Sequence, residues 1–144
     1  MNAVQLRDLL ADPSQAGAYF VDARDTEALA QAGAALEFAV ARIDLDGCDD
    51  KTELLRRVAA ALNFPDWFGH NWDALADALE DLSWLPAAGY VLLLERAQDW
   101  QSQAGDDAAT LLDILNESSA LWAEQRKPFW ALFPMPGERL DAMA

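Results

Sequence analysis

Carboxylates recur at Asp73, Asp77 and Asp81 in the stretch FPDWFGHNWDALADALEDL, Phe64 to Leu82, directly after a run of aromatics and a glycine. On an α-helix residues four apart share a face, so these three acids stack one turn above the next. Like charges at that spacing cost roughly 0.2–0.5 kcal/mol per pair. Acids so placed can receive the cations of a partner, act as an acid–base pair, or contribute to a metal site. Asp73 also has a structural reading: with Asn71 as N-cap it falls in the first turn, where the helix dipole favours a carboxylate. Asp77 lies beyond that turn, and something outside the helix is expected to answer its charge, with an ordinary solvated face as the alternative. The preceding loop, DWFGHN, sets Trp67 and Phe68 beside Gly69. There the backbone is expected to take φ > 0 or to be approached closely by another molecule. One of the two aromatics is expected in the core, while Trp67 and Trp84, beside the acidic ridge, are the tryptophans that could take a functional part.

Other chemistries find less support. His70 is the one histidine and Cys48 the one cysteine, so an internal disulfide and a cysteine-built zinc cluster are excluded and a reducing compartment fits best. A Cys48/His70 nucleophile pair would lack a recognisable third group to orient it. The glycines show neither the G-x-G-x-x-G nor the P-loop spacing that cradles phosphates.

The charge pattern narrows the partners. The formal net charge is −15 over 144 residues, a field that repels phosphate backbones and anionic lipid, so neither nucleic acid nor membrane is an expected partner. No Lys or Arg occurs between Arg57 and Arg96, a gap that holds Asp66, Asp73, Asp77, Glu80, Asp81 and Glu95. Charges, Pro or Gly interrupt every hydrophobic segment before it reaches the roughly 20 residues that cross a bilayer. The start, MNAVQLRDLLADPSQ, lacks a basic segment leading into an apolar run, and a cytoplasmic location is expected.

The elements that must position these residues are read from periodicity. Val4 to Leu10 predicts a short helix ended by Asp12-Pro13, and Gly17 to Ala23 a buried strand. TEALAQAGAALEF predicts a helix, and Val40 to Gly47 a strand turning at Asp46-Gly47, which together read as a βαβ unit whose first strand pairs with the sheet edge near Arg42 to Leu45. Thr52 to Asn63 is amphipathic and stopped by Pro65. From about Asn71 to Leu82 a second helix turns Trp72, Leu75, Leu79 and Leu82 inward and Asp73, Asp77, Glu80 and Asp81 outward. Tyr90 to Glu95 is a nearly continuous apolar run of the parallel-sheet kind. Gln101 to Asp107 reads as a surface loop, about Asp107 to Glu124 as a long helix, and Pro128 to Phe133 as a last strand. The order predicts an α/β domain with a small parallel sheet.

FPDWFGHNWDALADAL resembles the signature of the barstar family, small cytoplasmic inhibitors of barnase-type ribonucleases. In that signature an aromatic pair, Gly, any residue, Asn, an apolar residue and D-A-L-x-D open the inhibitory helix. LLLERAQDWQS, Leu92 to Ser102, resembles the family's middle strand and the segment after it, and LLDILNES, Leu111 to Ser118, resembles its next helix. The resemblance covers about residues 41–133 and implies a barstar-like α/β fold, a small parallel sheet of three family strands packed with helices. Residues 1–40 then form an N-terminal βα extension, with an extra strand, of a single domain spanning 1–144.

By position, the family's two central acids match Asp73 and Asp77 and its later glutamate matches Glu117. The aromatic pair matches Trp67 and Phe68, followed by Gly69 and Asn71. Ala76 and Ala78 stand where the best-known member has tryptophan and cysteine. The resemblance implies a stoichiometric intracellular inhibitor of the bacterial immunity type, monomeric when free, with no catalytic residue, cofactor or metal. Its acids would mimic phosphates in the active site of a basic ribonuclease, barnase-like or another toxin nuclease. The alternatives are an acid–base or metal-dependent hydrolase using Asp73 and Asp77, and a barstar-fold module that binds a non-nuclease basic protein. The hydrolase predicts a deep pocket or a bound metal, the inhibitor a convex or flat acidic surface.

Overall fold

The computed structural model describes residues 2–143. Four strands, β1 (Ala18–Asp22), β2 (Ala39–Asp44), β3 (Tyr90–Glu95) and β4 (Phe129–Met135), form one wholly parallel sheet in the order β1-β4-β3-β2. Seven α-helices accompany it: α1 (Ala3–Leu10), α2 (Thr26–Ala35), α3 (Lys51–Ala61), α4 (Trp72–Asp81), α5 (Gln98–Gln103), α6 (Asp106–Glu124) and α7 (Gly137–Met143). This is a mixed α/β fold built on a four-stranded parallel sheet.

The strand order fixes the layers. Passing from β2 to β3 to β4 steps one way across the sheet, whereas passing from β1 to β2 crosses it the other way. Right-handed crossovers therefore place the connecting helices on opposite faces. On one face α1 and α2 cover Val91, Leu93, Trp130 and Leu132. Helices α3, α4 and α6 cover the other, over Leu92, Leu94, Ala131 and Phe133. With both faces covered, β3 and β4 carry almost nothing but buried side chains, as a central parallel strand requires. Helix α2 comes so close that a Cβ on Gly33 would lie 3.0 Å from Val40 and 3.2 Å from Val91.

Strand β1 departs from the expected pairing. It does not join the edge near Arg42 to Leu45 but lies against β4, with Ala18 opposite Ala131 and Phe20 opposite Phe133. β4 is apolar along its whole length and offers Trp130 and Phe133, whose rings meet Tyr19 and Phe20 at centroid distances of 5.7 and 5.3 Å. Near the end of β2 the Arg57 guanidinium instead takes the Asp44 and Asp46 carbonyls at 2.9 and 2.6 Å. The helix between β1 and β2 thus spans the sheet rather than joining neighbours. Nor is β1 a buried strand: it is an edge, mostly half-buried, with Tyr19 exposed.

The segment Gln101 to Asp107 is likewise not one loop. Helix α5 runs through Gln103 and turns Trp100 into the core, so only Ala104 and Gly105 separate it from α6. Helix α2 stops at Ala35, three residues before the end of TEALAQAGAALEF, and β2 stops at Asp44, three residues before Gly47; the other expected elements end within about two residues of those observed.

Three of the six tryptophans do one recurrent job. Each donates its indole N–H to a carbonyl at a helix C-terminus, where the last four carbonyls lack intrahelical partners. Trp130 reaches Leu10 at the end of α1 at 2.9 Å, Trp84 reaches Leu62 just past α3 at 3.0 Å, and Trp122 reaches Leu79 in the last turn of α4 at 2.8 Å.

Candidate functional site

Helix α4 begins where its sequence says it should. The Asn71 carboxamide accepts the Ala74 amide at 2.8 Å, with Asn71 itself extended at φ −137°. Leu75, Ala78 and Leu79 are buried against the core, which leaves Asp73, Asp77 and Asp81 exposed on the opposite side. The loop ahead of the helix is held by a chain of aromatic contacts. Phe64 meets Phe68 at 4.9 Å and Trp84 at 5.7 Å, and Trp84 in turn meets Trp67 edge-on at 5.7 Å. The two members of the aromatic pair divide their roles: Phe68, 5% exposed, packs beneath the loop, while Trp67, 58% exposed, presents its ring to solvent.

Gly69 does not carry a positive φ, and a Cβ there would meet only ordinary contacts at 3.5 and 3.6 Å. The left-handed residue is His70, at φ 54°, a type that tolerates this region better than most. Its ring lies 4.7 Å from that of Phe68.

Helix α6 packs on α4 and carries Glu117 on its exposed side. On α4 the half-buried Glu80 carboxyl has its pKa pushed above the usual value, first by desolvation and then by the charges of Asp77 and Glu117. Glu80 thus feels an acid of its own helix and one of α6. Sequence reasoning put Glu80 on the polar side of α4 but not in the site. The signal was its spacing three residues after Asp77, and what it lacked was the α6 neighbour.

No salt bridge among the described residues reaches this face. Among the described residues the salt bridges join Arg24 to Asp22, Arg42 to Glu27 and Glu95, Arg56 and Arg57 to Glu53, and Arg96 to Asp44 and Asp46. None involves Asp73, Asp77, Glu80, Asp81 or Glu117. The paired acids respond as expected: the Arg56 and Arg57 guanidiniums hold Glu53 down to about 2, and Arg96, helped by the Asp46 amide, holds Asp44 below its usual range.

Among the described residues, five of the better-formed concavities measure about 280 to 540 Å³, and none of these five is lined by Asp73, Asp77 or Glu117. Among the described residues no group of three or more His, Cys, Asp or Glu side chains is arranged to hold a metal ion. No helix of the described residues is long and apolar enough to cross a membrane.

No curated protein matches the chain. Its fold is similar to part of the Aeropyrum pernix ORC2 protein, solved as ADPNP-ADP complexes. The TM-score is 0.59 at 16% identity, covering 98% of this chain and 42% of that one. It is also similar to part of Drosophila ORC bound to DNA, with a TM-score of 0.55 at 16% identity, covering 94% of this chain and 37% of that one. The chain thus spans less than half the length of either protein, and at such identity the likeness is one of fold. The segment from β1 into α2, Val21-Asp22-Ala23-Arg24-Asp25-Thr26, contains no glycine. The family described as barstar (barnase inhibitor) matches residues 38–134, a segment that holds β2, α3, the aromatic loop, α4, β3, α6 and most of β4, and on that match the chain belongs to the barstar family.

Proposed function

We propose that this protein is an intracellular, stoichiometric inhibitor of a basic ribonuclease, a monomer when free. The observation that carries the reading is the acidic face of α4 and α6, where no salt bridge forms among the described residues although seven form elsewhere. A surface with this uncompensated charge, beside an exposed aromatic, is suited to a basic partner. Membership of a family described as barnase inhibitors supports the same reading.

Inhibition works by occlusion. Asp77, at the middle of the ridge, meets the arginine or histidine groups that would hold the scissile phosphate. Asp73 and Glu117 pair with cations around them. The loop from Trp67 to Asn71 closes the rim, with Trp67 as the contacting ring, Phe68 supporting the loop from within, Gly69 exposed beside it, and Asn71 fixing it to the helix. Within residues 1–40, α1 and α2 cover the opposite face of the sheet, while the Ala18 amide donates to the Asn116 carboxamide of α6 at 2.9 Å. An acid–base role for Asp73 and Asp77 finds less support, because exposed carboxylates lack the enclosure that tunes a pKa for catalysis.

The test is a titration of the purified chain against a panel of basic ribonucleases, following both complex formation and RNA cleavage. The expected result is a 1:1 complex with at least one of them and loss of cleavage at equivalence, with an association rate that falls as salt rises. Capture of only a non-nuclease basic protein would transfer the reading to a binding module of another kind.

A further inference from the structure

We propose that Trp122 is the positioning residue of the acidic face: its indole holds α4 and α6 in the register that gathers Asp77, Glu80 and Glu117 into one cluster. The functional meaning of that cluster rests on the binding reading above, whereas the clamp itself does not.

The geometry is direct. Trp122 is buried near the end of α6, five residues after Glu117, and its Nε1–H donates at 2.8 Å to the carbonyl of Leu79, two residues after Asp77 and next to Glu80. That carbonyl lies in the last turn of α4, where no further helical amide reaches it. The neighbouring Ala78 carbonyl is taken by the Leu82 amide, and Leu82 leaves the helix at φ 48°. A side chain from the other helix therefore completes the end of α4. The indole is itself fixed by the Tyr90 ring at 5.3 Å and by the Lys127 ammonium 5.7 Å from its centroid.

Three like charges would otherwise push the two helices apart. The groups facing Glu80 are Asp77 from its own helix and Glu117 from α6, and both raise its pKa in addition to desolvation. A buried hydrogen bond to a helix-end carbonyl next to Glu80, backed by ring packing, ties the two helices together against that repulsion. The cluster is then available to a partner without first having to be assembled, and pre-organised charge is what makes association productive.

The test uses the free chain and needs no partner, so its failure is distinct from failure of the inhibitor reading. The Glu80 carboxyl is titrated by NMR in wild type, Trp122→Phe, Glu117→Gln and the double variant. Glu117→Gln should lower the Glu80 midpoint in wild type by removing a repelling charge. Trp122→Phe keeps a ring but loses the N–H; it should also lower the midpoint, and adding Glu117→Gln to it should then lower it by less than in wild type. Trp84→Phe loses a comparable indole bond, to the Leu62 carbonyl at 3.0 Å, and serves as the control for general loosening. It should leave the full effect of Glu117→Gln in place. Equal effects of Glu117→Gln with and without the Trp122 indole would overturn the proposal. Wild type provides a check that needs no variant: the Trp122 indole proton should be protected from exchange, and exchange as fast as that of a solvent-exposed indole would overturn it as well.

Discussion

The carboxamide oxygen of Asn71 accepts the Ala74 amide at 2.8 Å, so the residue that ends the aromatic loop is also the one that starts the acidic helix. One hydrogen bond thereby sets the position of Trp67 relative to Asp73 and Asp77. Asn71→Ala should destabilise the fold by about 1 kcal/mol, the usual cost of losing an N-cap. Asn71→Asp keeps the acceptor and suits the positive end of the helix, so it should retain most of the stability. Urea melts of the two variants decide it, and equal losses would show that the cap bond is not the cause.

How far the sequence reaches can be seen in particular elements. Strand β3 was legible at both ends because Tyr90 to Leu94 is apolar throughout and, with Glu95, stands between Gly89 and Arg96. Helices α3, α4 and α6 were legible from their 3.6-residue stripes, and the exposure of Asp73 and Asp77 on one face followed from their spacing. The family match over residues 38–134 lies close to the segment that resembled it by motif. Strand order was not legible, because alternation tells which side chains face inward but not which edge a strand joins. Helix α5 is too short to show a period, and α7 comes after Pro136 at the chain's end. Glu80 and Trp122 were missed for one shared reason: their roles exist only where α4 meets α6, residues 79 and 122 being far apart in the chain.

The pH dependence of stability should have two limbs of opposite sign. Glu80 has a folded pKa above its unfolded 4.5, from desolvation and then the charges of Asp77 and Glu117, so its ionisation disfavours the free fold. As pH falls from neutrality through that raised value, protonation relieves the strain and stability rises. Glu53 acts in the opposite direction: its Arg56 and Arg57 bonds hold it at about 2, so its contribution is complete above the unfolded 4.5 and is lost as pH falls toward about 2. The melting temperature should therefore climb on mild acidification and drop in strong acid. Glu80→Gln should flatten the climb and leave the drop unchanged. Parallel curves for wild type and Glu80→Gln would remove Glu80 from the account.

Deletion of residues 1–35 should affect solubility before binding. It removes α1, β1 and α2, uncovering Val91, Leu93, Trp130 and Leu132 and the outer edge of β4. An apolar face beside an unpaired edge is a site for aggregation. The acidic face lies on the opposite layer, so any fraction recovered folded should bind with nearly unchanged affinity. A truncated chain that is folded and soluble but no longer binds would place the extension in the interface.

Asp77 gives the sharpest test, because it stands in the middle of the ridge, exposed, with no cation paired to it among the described residues. Asp77→Ala removes i, i+4 repulsion with Asp73 and with Asp81, and it also relieves Glu80. At roughly 0.2–0.5 kcal/mol per pair, the free protein should become slightly more stable. Binding should move the other way. Truncating one member of a desolvated interfacial charge pair costs about 2–5 kcal/mol, partly because the partner's cation is left buried and unpaired; that range comes from interfaces that include the barstar family's own. Asp81→Ala, one turn further along, removes the same charge from the rim and should cost under about 1 kcal/mol. Calorimetric titration of both variants against the captured nuclease, with melts to verify folding, separates the two cases. A loss confined to Asp77 means a specific contact. Equal losses would reduce the face to diffuse charge, and no loss at Asp77 would end the occlusion mechanism as drawn.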